Sequence, residues 1–345
     1  MRAHVTAALL AGICMLSPAS AQTVEKPDVK ISLDWAFQGP QSVFLYGAAL
    51  DEFKKRGIDA TIDRGSGSGD TITRVASGAY QFGWADIATM VKFNAQNPGK
   101  ELVAVYVTGG NSPLAVVTVK GRGIDTPKDL AGKTLTATAG SAALALFNIF
   151  AKDAGFDPKS VTWKQVSGAL REPMMVRGEA DAAAGFTTSS VMSVVELGVK
   201  KDDVEVFKYN DYGLKQYGTA LLVRPEFAKE NPKTVAAVVA AVNASFMDAI
   251  RNPKASVEAI KARDSLANLD IECVRLVDGL RDLTLTDEFK TKGISSVDDA
   301  RIAASIQEIK DAYELKADIP ADKVFTDAYL PAQAERMPPA LGSCE

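Results

Sequence analysis

The chain holds one histidine, His4, and three cysteines among 345 residues. Both scarcities exclude chemistry. His4 sits in an opening stretch, residues 1–21, with a basic start at Arg2, an apolar core from Ala7 to Leu16 and the small residues Ala19-Ser20-Ala21. That order reads as a secretory signal peptide cut before Gln22. The mature chain then has no histidine, which removes Ser-His-Asp catalysis and histidine-liganded zinc. Cys14 follows Ile13, a poor fit to lipoprotein processing. A freely soluble periplasmic protein is therefore expected, with lipid anchoring as the alternative. After the leader, no stretch reads as apolar and long enough to cross a membrane. Loss of Arg2 moves the formal net charge from −4 to −5. With no basic stripe on that mixed surface, nucleic acid is not an expected partner. The chain also lacks a G-x-x-x-x-G-K-[ST] phosphate loop and a G-x-G-x-x-G in the required context.

What is present is organised around Lys30 to Ala48. Ile31 to Trp35 alternates as a short strand, Ala36 to Gln41 breaks it with Gly39 and Pro40, and a helix is expected from Ser42 or Val43 to about Lys55. An acid and an indole thus stand where a strand gives way to its loop. Ligands of open α/β sheets collect at the carboxyl ends of strands, so Asp34, Trp35, Gln38 and Gln41 are read as one wall of a cleft. On residue type alone, Trp35 as core and Asp34 as a turn cap fit as well.

Further βα units follow. Asp59 to Asp63 reads as a strand, then Arg64 to Gly78 carries Ser66 and Ser68 between glycines and reaches Asp70 as a helix N-cap. Exposed N–H groups there suit a polar or anionic group, although Gly-Ser alternation also makes plain loops. Tyr80 to Asp86 brings Trp84 and Asp86 to another strand end, and Leu102 to Thr108 is a buried strand before a loop holding Asn111. Leu114 to Lys120 is long enough to leave a first lobe. A second series runs through Thr134 to Thr138, Gly140 and Ser141 before the helix Ala142 to Ala154, and Gly155 as its stop. Pro173 is placed near a helix start. Gly178 to Gly185 returns to a short strand that opens onto Phe186, Thr187 and Thr188, and Val204 to Tyr209 opens onto Asp211 and Tyr212. Thr219 to Arg224 is a second long extended run. From Pro225 the chain becomes helical, with Pro232 to Ile250, Lys254 to Arg263, Glu272 to Asp282 and Val297 to Ala312 read as packing helices. The mature cysteines, Cys273 and Cys344, meet an oxidising compartment where a disulfide persists. The alternative is one buried thiol and one on a frayed tail.

Two α/β series joined by two extended crossings describe a two-lobed binding protein. Leu33-Asp34-Trp35 before a loop and an apolar helix resembles the opening of the thiamine-pyrimidine-precursor and riboflavin binding proteins of bacterial ABC importers, whose relatives bind alkanesulfonates, taurine or nitrate. Phe82-Gly83-Trp84 is similar to their D-F-G segment, Asp129-Leu130-Ala131-Gly132-Lys133 to D-L-K-G-K, and Gly178-Glu179-Ala180-Asp181-Ala182 to G-x-x-D-A. Asp211-Tyr212-Gly213 before Tyr217-Gly218 is similar to the precursor-binding branch. The sequence departs at Gln38 and Gln41, where that branch carries Asn and His. It departs again at Phe186-Thr187-Thr188, where sulfonate binders favour an aromatic-acid-proline turn.

The resemblance implies a type II periplasmic-binding-protein fold: lobe 1 from 22–115 and 225–345, lobe 2 from 116–224, with Leu114 to Lys120 and Thr219 to Arg224 as hinge. It implies a monomer without cofactor or metal. Such a protein closes on a small molecule and docks on a membrane permease, making and breaking no bond. The expected ligand is a small planar heterocycle or aromatic acid held by Trp35, Trp84, Phe186 and the Asp34 motif. The alternatives are a sulfonate-like anion at the Gly-Ser openings, or a sensor subunit. A yeast thiamine pyrimidine synthase shares this architecture, but it resembles an enzyme dependent on histidine and a cysteine-rich motif, which the mature chain lacks.

Overall fold

A computed structural model describes residues 23–213 and 216–345. The signal peptide read over 1–21 lies outside the described residues. Among the described residues, ten strands form two five-stranded sheets. The first holds β1 (Asp28–Ser32), β2 (Asp59–Asp63), β3 (Phe82–Asp86), β4 (Val103–Val107) and β10 (Thr219–Val223). The second holds β5 (Leu114–Val119), β6 (Thr134–Ala137), β7 (Thr162–Gln165), β8 (Ala182–Phe186) and β9 (Val204–Lys208). Their orders, β2-β1-β3-β10-β4 and β7-β6-β8-β5-β9, follow one plan. In each, three strands pair in parallel, and the strand that has just arrived from the other lobe runs antiparallel to its neighbours.

This pairing changes the expected hinge. β5 and β10 are fully paired inside their sheets, and the chain passes between lobes in the segments before them, 108–113 and 209–218. The sheets divide the chain there, so the run from Thr219 belongs to the first lobe. Both runs are mainly apolar, as strands buried on two faces are, and an apolar run carries no mark of which sheet it joins.

The helices of the first series are α1 (Gly39–Ala49), α2 (Ser68–Ala76) and α3 (Ile87–Gln96). Those of the second are α4 (Ala142–Asp153), α5 (Gly168–Val176) and α6 (Thr187–Glu196). The C-terminal part adds α7 (Pro225–Glu230), α8 (Pro232–Arg251), α9 (Pro253–Glu258), α10 (Leu269–Gly279), α11 (Asp287–Lys292), α12 (Asp299–Tyr313) and α13 (Gln333–Arg336). Gly39 and Pro40, expected in a break, instead open α1, where a missing proline N–H costs no helical bond. α5 starts five residues before Pro173, which sits inside the helix. Gly67, not Asp70, is the N-cap of α2.

α8 corrects one expectation: its 20 residues are long and apolar enough to cross a membrane, but 67% of its apolar window is buried in the molecule. It packs with α9 and α10 around α1, in the same hydrophobic cluster as Val43, Phe44, Val238, Val242 and Phe246. A helix apolar on most faces suits a core position as well as a bilayer. Cys273 on α10 is joined to Cys344 by a disulfide, tying the C-terminus to that helix.

Candidate functional site

The carboxyl ends of both sheets face a cleft between the lobes. On the first side, the loop from Leu33 to Gln38 is held by its backbone. Leu33 N–H donates to Asp63 O at 2.8 Å, Gly67 N–H to Asp34 O at 2.7 Å and Gly65 N–H to Trp35 O at 3.0 Å. Thr71 Oγ1 donates to Leu33 O at 2.7 Å. The anchored loop sets Asp34, 2% exposed, in the cleft wall. Gln41, one turn into α1, donates from Nε2 to Asp34 Oδ1 at 2.8 Å. Burial pushes the Asp34 carboxyl up to about 7; the Gln41 and backbone hydrogen bonds oppose this, and the charge of Asp86 adds to it. Gln41 Oε1 is buried without a hydrogen-bond partner.

On the second side stand Ser141, the N-cap of α4, Arg171 of α5, and Phe186, Thr188 and Ser189 at the start of α6. Arg171 is 2% exposed. Its Nε donates to Glu172 Oε1 at 2.8 Å and its Nη2 to Ser190 Oγ at 3.1 Å. The guanidinium lies 5.2 Å from the Trp35 ring centroid. Trp35 also crosses the cleft onto Gly168, where a Cβ would stand 2.6 Å from the indole, so glycine is required there.

These residues line one pocket of the cleft, together with Gln38, Pro40 and Ser68. The N-terminal ends of α1, α2, α4 and α6 all contribute to its wall and bring partial positive charge to it. A second pocket adjoins it, with Trp84 in its wall. Trp84 Nε1 donates to Thr108 Oγ1 at 2.8 Å, so its indole presents only apolar surface. Asp34, Pro40, Gln41, Phe186 and Thr188 line both pockets.

Seven of the residues read as site positions line neither pocket. Asp86 is fully buried behind the wall as the N-cap of α3, accepting from Thr89 N–H and Oγ1 at 2.7 Å each. Burial pushes it up to about 6 against those bonds. Gly140 accepts from Gly69 N–H at 3.0 Å, a backbone contact between lobes. Thr187 opens α6 with its N–H on Pro113 O at 2.8 Å and lines neither pocket. Asn111 ties the first crossing to the end of α10, donating from Nδ2 to Asp282 O at 3.0 Å. Asp211 and Tyr212 form a 3-10 turn in the second crossing, Asp211 exposed and Tyr212 edge-on to Phe150. Ser66 reaches only the outer mouth. A position after a strand is thus a weak guide, because the same loops also cap helices and anchor crossings.

Arg171, Ser189 and the part α10 plays in the cleft are not legible in the sequence, which marks α10 only as a packing helix. Arg171 precedes Glu172 and Pro173, and a buried Arg-Glu pair has no periodic signature. α10 contributes more than packing. Arg275, 1% exposed, donates from Nη1 to Thr188 O at 3.0 Å and to Ser189 O, and from Nε to Glu272 Oε2 at 3.0 Å. The same Glu272 oxygen accepts Gly39 N–H at 2.5 Å, at the start of α1. One ion pair therefore fixes the first turns of α1 and α6, which face each other across the cleft.

Known proteins share this arrangement. A protein of Bordetella bronchiseptica RB50 superposes with a TM-score of 0.73 at 17% identity, covering 89% of this chain and 97% of its own. The alkanesulfonate-binding protein SsuA of Xanthomonas axonopodis pv. citri, solved bound to MOPS, gives 0.67 at 16% identity, covering 88% and 100%. The periplasmic nitrate-binding protein NrtA of Synechocystis PCC 6803 gives 0.64 at 12%, covering 92% of each. In sequence the chain matches no curated protein. The NMT1/THI5-like family model matches residues 40–256, from the first turn of α1 to α9, and includes most of both cleft walls. With more than half of its length matched and two mixed α/β lobes around a cleft, the chain belongs to the NMT1/THI5-like family and has the periplasmic-binding-protein fold.

Proposed function

We propose that this chain is an exported solute-binding protein that captures a small planar heterocycle bearing N–H donors and delivers it to an ABC permease. The observation that carries the ligand is the Asp34-Gln41 pair. It sets a carboxyl and an unpartnered buried carbonyl oxygen side by side in a pocket that Trp35 and Phe186 also line. An amino-heterocycle supplies the missing donors and stacks on the rings, which adds about 0.5–1.5 kcal/mol beyond area burial. An analogue without those N–H groups leaves buried acceptors unsatisfied and is rejected. Among the described residues that line the two pockets, the cation is Arg171, and it is matched by Glu172 at 2.6 Å, both side chains 3% exposed. Ligand contacts to both lobes favour the closed form, and the molecule is released unaltered.

A second reading, a sulfonate-like anion, is favoured by the four helix N-termini and the guanidinium at the cleft. Calorimetry of the mature chain decides between them, with 4-aminopyrimidine set against taurine, an alkanesulfonate and nitrate. Saturable binding of the aminopyrimidine, lost in Asp34→Asn, is the expected result. Binding of the anions alone overturns the heterocycle, and turnover of any bound compound overturns the carrier.

A further inference from the structure

α10 touches the starts of two helices that belong to opposite walls of the cleft. Its backbone approaches α1 so closely that a Cβ on Gly39 would stand 2.3 Å from Glu272 O. Near its other end, a Cβ on Gly279 would stand 2.9 Å from Thr188 Cγ2, in the first turn of α6. Leu276, Gly279 and Leu280 of α10 also line the second pocket, with Gln41 and Thr188. The tight seat on α1 and the packing on α9 make α10 part of the first wall. Its contacts with α6 therefore join the two walls.

Three cations make those joints polar. Lys201 meets Asp278 at 2.7 Å and Lys208 meets Asp282 at 3.9 Å, but these side chains are 30% to 51% exposed, and surface pairs contribute little. Arg275 differs, because its side chain is 0% exposed. Its Nε stays with Glu272 on its own helix. Its Nη1 donates across the cleft to Thr188 O at 3.0 Å and to Ser189 O, and its Nη2 to Glu196 Oε2 at 3.3 Å. A helical carbonyl accepts from the N–H four residues on, and a second lone pair remains for the guanidinium. If α6 draws away from α10, these three bonds break together and the guanidinium meets water. Bonds made in one state and lost in the other weight the equilibrium between them.

We propose that Arg275 is the positioning residue of closure: its guanidinium seats on the Thr188 and Ser189 carbonyls when the lobes meet, and through Glu272 on Gly39 it sets the spacing of α1 and α6 around the ligand. This rests on capture between the lobes and holds for a heterocycle or an anion alike. Gln41 follows Gly39 by two residues, and Thr188 is itself an anchor point, so the pair aligns groups that line both pockets. The planar fork is needed, since a lysine supplies a point charge in its place.

The test compares the mature chain with Arg275→Lys, which keeps a cation beside Glu272, and with Glu196→Gln, which removes a partner 36% exposed. Asp278→Asn, which removes a surface pair, is the control. Melting curves establish which variants fold. Hydrogen exchange without ligand is expected to quicken in Arg275→Lys over residues 36–45 and 186–197 and to stay unchanged elsewhere. Stopped-flow release of 4-aminopyrimidine or of taurine is expected to speed up about tenfold in that variant, with the association rate nearly unchanged. Glu196→Gln should move both readouts in the same direction by less, and Asp278→Asn neither. Exchange that rises uniformly along the chain, or release and local exchange unchanged in the folded variants, overturns the proposal. If neither probe binds, the ligand reading fails, and the exchange measurement alone decides the role of Arg275.

Discussion

The two walls of the cleft are built on the same βα plan and end with opposite chemistry. The first-lobe wall presents an acid whose burial favours the neutral form, Asp34, with a second such acid, Asp86, behind it. The second-lobe wall presents hydroxyls and helix N-termini with one guanidinium, and satisfies that charge internally through Glu172. One side therefore carries polar groups short of partners, and the other carries a charge already provided for. The difference suggests that recognition is written mainly on the first lobe, while the second supplies a rigid, stacking lid.

The contrast breaks first at Arg171. Arg171→Met is expected to leave Glu172 as a buried unpaired acid and to destabilise the fold by about 3–5 kcal/mol in denaturant unfolding, far beyond any effect of altering an exposed residue. A stable variant would mean that the second wall is not self-satisfied.

The next effect is on pH. Asp34 and Glu308 are pushed up to about 7 and Asp86 to about 6, chiefly by burial. A carboxyl raised in the fold holds a proton that the unfolded chain releases near pH 4. Its contribution is complete below that value and is lost as pH rises through 6 to 7. Groups lowered in the fold, such as Glu52 and Asp129, are already ionised by pH 5 and do not oppose this. The melting temperature is thus expected to fall between pH 5 and pH 8. Asp34→Asn should flatten that slope by a contribution on the order of 3 kcal/mol. A rise with pH would place the charged form of Asp34 in the resting fold.

Ligand affinity comes next. Asp34→Asn is expected to weaken aminopyrimidine binding by about 1–3 kcal/mol, the cost of leaving a buried donor without its acceptor. Ser141→Ala, on the opposite wall, should change it much less. Equal losses would divide recognition between the lobes. The smallest contrast is between the two aromatic faces: Trp35→Ala and Phe186→Ala should each cost about tenfold in affinity, following the stacking energies of such rings, and leave the melting temperature nearly unchanged. Unchanged affinity in Trp35→Ala would return that side chain to the core.

Much of this site was legible because the cue is local. Asp34 and Trp35 stand just past a strand end, and Phe186 stands at the end of another, so the position of each follows from strand pattern and turn residues within a few positions. The same cue failed at Asn111, Asp211 and Tyr212, which also follow strands but belong to the two crossings. What sends one loop into the cleft and another into a crossing is the sheet order, and no local pattern encodes it. Arg171 and Leu280 were out of reach for a related reason, since a buried ion pair and a helix-borne apolar side chain read in sequence as a solvated charge and ordinary core.

The sequence by itself determined the two βα series, the apolar strands and the acid-plus-indole opening, because each rests on residue type and short spacing. Tertiary structure alone decided that β5 and β10 pair within their sheets, that α10 joins the cleft and that Gln41 rather than Asp86 faces the Asp34 carboxyl. Those outcomes depend on contacts between residues far apart in the chain, with more than 230 positions separating Gly39 from Glu272, and packing settles them only when both lobes are assembled.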